Sequence, residues 1–493
     1  MCTAALSTAV ELFQSYDHNR IPSMRDVGMN ALGALLGSRM VACQPCGTEK
    51  WFAGTRVTFL CLVIVFLPLR AFAERPPNII IIYADDLGWG DVGFNGRKEW
   101  KTPHLDRLAQ QGTVFTRWYA AATVCAPSRA ALMTGKYGIH NGVTSNNDDL
   151  ARNQVTIANV LKHHGYKTAL FGKWHHGCAG VANYSYTHPL DLGFDEFFGF
   201  TDAQQAWEHF PKELWDGREL KPVSGYANTL FTDRSVHFIA QNRQHPFFLY
   251  LSYTAPHAPI EALPQDVAEY RGKFAEADPR HPLNATYAAM ITRMDKEIGR
   301  VLQMLDRLRL ADQTIVVFVS DQGATFEPAN QGTSAYHDSN RPFRGQKRTL
   351  WEGGIRVPAV VRWPGKIPAA KASRAVINTI DLMPTLLTAA QVTTDPAWEL
   401  DGVDLTSVWR EQRTLPQRTL FWEWRSEGYF QLAAMQGDLK LVVTGQNPPE
   451  LFNVESDPGE RRSVIYEHEP LATELQKELA AWLATEVPKP TCR

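Results

Sequence analysis

The sequence predicts an α/β fold: a large mixed, mostly parallel sheet flanked by helices, then a smaller C-terminal antiparallel sheet with one helix. Three observations predict it. Apolar runs such as 78-NIIIIY-83 and 314-TIVVFV-319 lack the apolar–polar alternation of a half-exposed strand, so both of their faces must be covered. Stretches with helical apolar spacing separate these runs, the order expected of a sheet built from crossover units. Beyond residue 390 the pattern changes to short neighbouring strand candidates and a closing amphipathic helix.

Taken in order, the first strand is 78-NIIIIYADD-86, which closes on two aspartates. In 102-TPHLDRLAQQG-112, Thr102 can cap a helix, Pro103 sits at its first position and Gly112 can end it. The stretch 123-TVCAPSRAALMTGKYG-138 reads as a helix start beside a lone cysteine. A helix near 155-VTIANVLKHHG-165 leads into a strand at 167-KTALFG-172, and 247-FFLYLSY-253 is the next strand. A long helix from Ala285 to Leu308 precedes 314-TIVVFVSDQG-323, and 381-DLMPTLLTAA-390 is helical. Strand candidates 429-YFQLAAM-435 and 439-LKLVV-443 and a helix near 471-LATELQKELAAWLA-484 make up the C-terminal part.

At 493 residues and 44% hydrophobic content the chain can bury one large and one small core. The expected division is a presequence over 1–73, a catalytic domain over 74–390 and a C-terminal subdomain over 391–493. In the presequence, 57-VTFLCLVIVFLPLRAFA-73 follows Lys50 and Arg56 and ends in Ala71-Phe72-Ala73, the pattern of a signal peptide cleaved near Ala73. Its apolar run is too short to span about 30 Å of hydrocarbon, so no stable membrane anchor is expected, and the mature chain is periplasmic or secreted. Because this signal lies far inside the chain, Met40 is a candidate for the true start. A formal net charge of -2 gives no basic face for nucleic acid, so an anionic ligand must be held by a few placed cations.

Of seven cysteines, Cys2, Cys43, Cys46 and Cys61 fall in the presequence, leaving Cys125, Cys178 and Cys492. An odd three excludes a disulfide-built scaffold. Cys125, just ahead of Pro127, Ser128 and Arg129, fits four roles: disulfide partner, buried apolar filler, thiolate nucleophile or target of modification.

Ligands in open α/β sheets bind beyond the carboxyl ends of the strands, so the residues that follow each strand carry the functional information. The first strand ends in Asp85-Asp86, the Lys167 strand in 172-GKWHHG-177, the Phe247 strand in 254-TAPHAP-259 and the Thr314 strand in Asp321-Gln322. A lone aspartate pair caps turns, but a matching acid–amide pair after a second strand makes an all-oxygen set suited to Ca²⁺ or Mg²⁺ rather than zinc. Lys173, His175 and His257 together form a polyanion pocket whose imidazoles can exchange protons near neutral pH. The cluster 341-RPFRGQKRTLWEGGIRVP-358 adds Arg344, Lys347 and Arg348.

Several of these segments match one family. The segment 125-CAPSR-129, followed by 134-TGKYG-138, is similar to the signature CxPSR with its trailing TG, and 172-GKWHHG-177 to a second signature, GKWHxG. The matches extend through YADDLGWGDVG at 83–93, PHAP at 256–259, SDQG at 320–323, RGQKRTLWEGGIRVP at 344–358 and PELFNVESDPGE at 449–460. On these residues the chain resembles the type I, formylglycine-dependent sulfatases of the alkaline phosphatase superfamily, over nearly all of Asn78 to Ala484. The resemblance implies an alkaline phosphatase-like fold and hydrolysis of sulfate esters.

It also implies that Cys125 is oxidised before folding, by a formylglycine-generating maturation enzyme, to Cα-formylglycine. One hydroxyl of the hydrated aldehyde would attack sulfur, and the second would lose its proton as sulfate is expelled. By the same resemblance Asp85, Asp86, Asp321 and Gln322 hold Ca²⁺, with Mg²⁺ as the alternative and the modified Cys125 beside it. Arg129 and Lys173 steady the formylglycine oxygens, Lys347 and His257 contact the sulfate and assist the leaving oxygen, and His175 is the base. Ser128 serves recognition by the maturation enzyme or caps the helix. Gln322 departs from the family's usual asparagine by one methylene but keeps the amide ligand type, so metal binding is expected to survive with a slightly shifted ligand.

Two other functions stand against this one: a phosphate or phosphonate ester hydrolase of the same superfamily, and an inactive exported glycan-binding relative. CxPSR argues against the first and the near-complete residue set against the second. The expected substrate is a sulfated carbohydrate or an aryl sulfate, with pocket walls from 203-AQQAWEHFPKELWDG-217 and 326-FEPANQGTSAYHDSN-340.

Overall fold

The structure, a computed structural model, describes residues 75–176, 187–274 and 283–488. The expected presequence, Met40 and the question of a Cys178–Cys492 pair lie outside these residues. In chain order the strands are β1 (Asn78–Ala84), β2 (Thr113–Phe115), β3 (Trp118–Tyr119), β4 (Lys167–Lys173), β5 (Glu196–Phe200), β6 (Glu213–Asp216), β7 (Glu219–Pro222), β8 (Phe247–Ser252) and β9 (Thr314–Ser320). After them come β10 (Arg356–Val357), β11 (Ala359–Arg362), β12 (Lys371–Ser373), β13 (Ile377–Asn378), β14 (Thr419–Ser426), β15 (Tyr429–Gln436), β16 (Leu439–Thr444) and β17 (Glu450–Asn453).

One mixed sheet runs in the order β12-β2-β11-β9-β1-β8-β4-β5-β6-β7. The central strands β9, β1, β8, β4 and β5 are parallel, and antiparallel pairing is confined to the flanks. Every residue of β1 is buried because both faces are covered: Ile79, Ile81 and Tyr83 enter one core, Ile80, Ile82 and Ala84 the other. The helices Ala227–Gln241 and Asn284–Arg307 cover the second face with residues such as Phe231 and Ile298. Against the first face lie Cys125–Thr134, Ile157–His163 and Leu382–Ala389, through Ala130, Leu161 and Leu386.

The helix Pro103–Gln111 forms as expected, but Thr102 does not cap it. The Thr102 hydroxyl instead accepts from Gly93 N–H at 2.8 Å, and the Asp295 carboxylate takes the free N–H groups of His104 and Leu105 at the helix start. A partner 190 residues away does what the local sequence promised.

The second sheet is an antiparallel meander, β14-β15-β16-β17. Alternate residues face two cores: Ala433, Val442 and Phe452 pack with Leu350, Trp351 and Ile355, while Ala434, Leu441 and Leu451 pack with Leu475, Leu479 and Trp482 of the helix Glu469–Leu483. Between the two sheets in sequence, Val392, Leu405, Val408 and Trp409 join the core of the main sheet.

Candidate active site

Four adjacent parallel strands, β9, β1, β8 and β4, end on one rim, because Ala84 pairs with Ser320, Tyr83 with Ser252, and Ser252 with Gly172. The segments that follow them therefore emerge side by side, which is how two acidic and two Lys/His strand ends come together. Backbone bonds carry the alignment past the sheet: Asp321 N–H donates to Ala84 C=O at 3.1 Å and Asp85 N–H to Ala255 C=O at 3.2 Å. Gly172 allows the packing: it holds φ 117°, and a Cβ there would lie 1.8 Å from Ser252 O. Asp86 and His175, each at φ 62°, turn the chain at their strand ends in the left-handed region.

Cys125 opens the helix Cys125–Thr134 and is 1% exposed. Its Sγ lies 3.6 Å from Asp85 Oδ1, and Gln322 Nε2 reaches it at 3.3 Å. Around it three carboxylates meet three cations. Lys173 Nζ donates to Asp85 Oδ2 at 2.6 Å, Lys347 Nζ to Asp86 Oδ2 at 3.0 Å, and Arg129 Nη2 to Asp321 Oδ2 at 2.7 Å. Arg129 is held from its other side by Ser252 Oγ at 2.6 Å and Lys173 O at 3.2 Å. His257 Nε2 lies 3.3 Å from Lys347 Nζ and 3.6 Å from Asp86 Oδ2.

A family model for sulfatases matches residues 77–392, and one for the C-terminal part of N-sulphoglucosamine sulphohydrolase matches 344–487. The chain belongs to the sulfatase family. It is 32% identical to N-acetylgalactosamine-6-sulfatase of Mus musculus over 84% of this chain and 82% of that one. To steryl-sulfatase of Mus musculus it is 30% identical, over 81% and 80%. Among solved structures, Ps i-CgsB superposes with a TM-score of 0.75 at 30% identity, covering 84% of this chain and 94% of the other. A second structure of Ps i-CgsB, in complex with k-i-k-neocarrahexaose, gives 0.75 at 29% identity, covering 84% and 95%. The protein is a sulfuric ester hydrolase, and its fold is that of the alkaline phosphatase-like sulfatases.

In this sulfatase, ligand atoms of Asp85, Asp86, Cys125 and His257 all lie within 4.8 Å of one another. Gln322 sits in the same cluster with its amide nitrogen inward, on Asp86 Oδ1 and Cys125 Sγ, and its Oε1 is a buried acceptor without a partner. Asp321 stands further back: Oδ1 accepts from the N–H groups of Asp86 and Gln322, and Oδ2 from Arg129. Burial, reinforced by the charge of Asp85, pushes Asp321 up to about 8. Burial also opposes the charge on Asp85, but Lys173, His257 and Arg129 hold it well below the usual carboxylate range.

Burial pushes the Cys125 thiol up to about 12, against the pull of Lys173 and Lys347. His175 is driven well below the ordinary imidazole value by burial and then by Lys173, and among the described residues neither of its ring nitrogens has a partner. His257 is lowered by burial and by Lys347.

Over the cluster opens a cavity of about 480 Å³, with Cys125, Lys173, His175, His257 and Lys347 in its lining. Ala203 and Trp207 form one wall and Glu327 to Ala329 another, so both expected wall segments contribute, while Asn340 of the second turns away to hold Ala324. Two residues went unseen in the sequence. Asn146 lines the cavity and accepts from Ala126 N–H at 3.0 Å, but in 145-SNNDDL-150 it looks like an ordinary turn residue. Ser252, at the end of an apolar strand, gave no signal for its bonds to Arg129 and the Lys173 carbonyl. Of the two roles expected for Ser128, helix capping is not the one it takes: its hydroxyl donates to Ala122 C=O at 2.9 Å.

Proposed function

We propose that this sulfatase removes sulfate from a sulfated carbohydrate, using Cα-formylglycine made from Cys125 and a divalent cation, Ca²⁺ with Mg²⁺ as the alternative. The observation that carries this reading is Cys125, a buried, unbridged thiol pushed up to about 12 in the lining of a cavity beside Lys173 and Lys347. Such a thiol is a poor nucleophile, and its polar setting is wrong for an apolar filler, which leaves modification. Cys125 to Arg129 are all buried, so the maturation enzyme has to act before folding.

The residues fit a hard cation. Asp85 and Asp86 offer neighbouring oxygens, the buried Oε1 of Gln322 lacks a partner, and Asp321 is a buried carboxylate whose charged form added positive charge would favour. Gln322 needs only to turn its amide over, and Asp321 Oδ2 keeps a second lone pair beside the one that accepts from Arg129. A cation bound by Asp85, Asp86, Asp321 and Gln322 would polarise the hydroxyl of hydrated formylglycine and neutralise charge that grows in sulfuryl transfer.

The remaining chemistry belongs to the chain's own side chains. Arg129 and Lys173 orient the oxygens at position 125. The Ala258 carbonyl can accept only from Nδ1–H of His257, at 2.5 Å, which leaves Nε2 an acceptor toward Lys347. The Lys347 ammonium is then the group that donates to the leaving oxygen, with His257 aligning it. His175, kept neutral by burial, takes the proton released as sulfate departs.

A carbohydrate substrate is supported by the amino sugar in the name of the Mus musculus relative, by the oligosaccharide bound to Ps i-CgsB, and by Trp207, 52% exposed at the cavity wall as a face for a sugar ring. The reading includes export after loss of residues 1–73, a catalytic domain over 74–390 and a C-terminal subdomain over 391–493. No helix among the described residues is long and apolar enough to cross a membrane. The test is peptide mass spectrometry of the exported protein with turnover of an aryl sulfate and an aryl phosphate. An unmodified Cys125 in active enzyme sinks the mechanism, and dominant phosphate turnover makes the protein a phosphate ester hydrolase.

A further inference from the structure

The segment 449-PELFNVESDPGE-460 takes no part in this chemistry, yet with the second sheet it converges on the loop that carries Lys347. That loop, residues 344–354, has no strand and only the start of one short helix. Three of its backbone groups go to buried side chains from the C-terminal sheet and the turn after it. Gln431 Oε1 on β15 accepts from Leu350 N–H at 2.7 Å, Lys440 Nζ on β16 donates to Leu350 C=O at 3.0 Å, and Glu460 Oε2 accepts from Glu352 N–H at 2.7 Å. All three residues are 0% exposed.

Lys440 also lies between two carboxylates, 2.8 Å from Glu352 and 2.7 Å from Glu460. Tyr119 Oη and Arg356 complete the pairing of Glu352, at 2.8 and 3.2 Å. Burying such a set is costly, and well-packed apolar residues of the same volume are often as stable or more so, so stability alone does not account for it. Fixing one position of the loop does.

From its other side the loop is tied to the site. Lys347 N–H donates to Ala324 C=O, Arg348 N–H to Thr123 C=O and Gly323 N–H to Gly354 C=O, each at 3.1 Å. Thr123 stands two residues before Cys125, and Gly323 directly follows Gln322. A shift of the loop therefore moves Lys347 against both, and a misplacement of about 1 Å can cost on the order of a hundredfold in rate.

We propose that Gln431, Lys440 and Glu460 are positioning residues that clamp the 344–354 loop and so set Lys347 against the sulfate ester, which makes the C-terminal sheet a working part of the active site. This rests on the role of Lys347 argued above. The test is a double-mutant cycle on protein whose formylglycine content has been measured by mass spectrometry. Gln431→Met removes one acceptor without exposing a buried charge. Should it fail to fold, Glu460→Gln, which retains an acceptor for Glu352 N–H but breaks the pair with Lys440, carries the test. The expected result is a loss of kcat/KM on an aryl sulfate of roughly tenfold in the parent, with weaker inhibition by inorganic sulfate, and under about twofold in a Lys347→Ala background. Equal losses in both backgrounds, or a lower folded yield with kcat/KM per folded molecule unchanged, would overturn the clamp. A Lys347→Ala variant with full activity would remove the role of Lys347 itself, and the clamp with it.

Discussion

Produced without its maturation enzyme and stripped of divalent cations, the protein retains an unmodified thiol at position 125, and the reactivity of that thiol tests the electrostatics of the site. Burial raises Cys125 from an ordinary value of 9.0 to about 12 because the buried cluster solvates a thiolate poorly, and Lys173 and Lys347 offset only part of that cost. At pH 8 the thiolate fraction is then lower than for an ordinary thiol by roughly a thousandfold, about 4 kcal/mol at 1.36 kcal/mol per unit. A more basic thiolate is intrinsically more nucleophilic, and a Brønsted slope near 0.45 returns a factor of about 20. Alkylation by iodoacetamide should therefore be about 50-fold slower than for an exposed cysteine peptide, with a rate still rising at pH 10. Mass spectrometry of quenched samples measures it, and the same preparation should show no sulfatase turnover. A rate that levels off between pH 8 and 9 would refute this account of Cys125, as would turnover without the aldehyde.

Chelation by EDTA should abolish turnover and lower the melting temperature, and Ca²⁺ or Mg²⁺ at about 100 times its Kd should restore about 2.7 kcal/mol; a melting curve indifferent to EDTA and to both cations would remove the cation from the Asp85–Asp86 cluster. His175→Ala should reduce kcat by roughly 10²- to 10⁴-fold with KM nearly unchanged. Since burial lowers the pKa of His175, this base stays neutral as pH falls through the ordinary imidazole range, so an acid limb of kcat centred between pH 6 and 7 would contradict its role. Gly172→Ala should fail to fold or lose more than about 2 kcal/mol in urea denaturation, because its Cβ would meet Ser252 O at 1.8 Å on backbone at φ 117°.

The core strands were legible because an apolar run buried on both faces is a local pattern: 78-NIIIIYA-84 and 314-TIVVFVS-320 form where expected, and the long helix differs by one residue at each end, Asn284–Arg307 for Ala285–Leu308. The helix Ala227–Gln241 was missed because it buries Asn228, Thr232 and Ser235, which blur the apolar stripe: Thr232 and Ser235 donate to backbone carbonyls one turn back, and Asn228 Oδ1 accepts from Thr254 N–H. The flanking strands β6 and β7 and the outer strands β14 and β17 have partners close by, β6 with β7 and β14 with β15 across two-residue turns, but they are short or half-exposed and none is the long apolar run that announces a buried strand. Thr102 was misread because the group that takes the helix-start N–H groups, Asp295, is distant in sequence.

By itself the sequence determined which residue types close each central strand, and so the chemistry available: Asp85-Asp86, Asp321-Gln322, Lys173 to His175, His257 and the lone Cys125. Such information is local, carried by short motifs and by the periodicity beside them. Only the tertiary structure decided how they meet, since the order β9-β1-β8-β4 is what turns four separate strand ends into one rim. It also decided what each group is. Closing helices and loops over the cluster takes water away, and that desolvation raises Cys125 and Asp321, lowers His175 and makes every charge depend on a partner placed by another part of the chain.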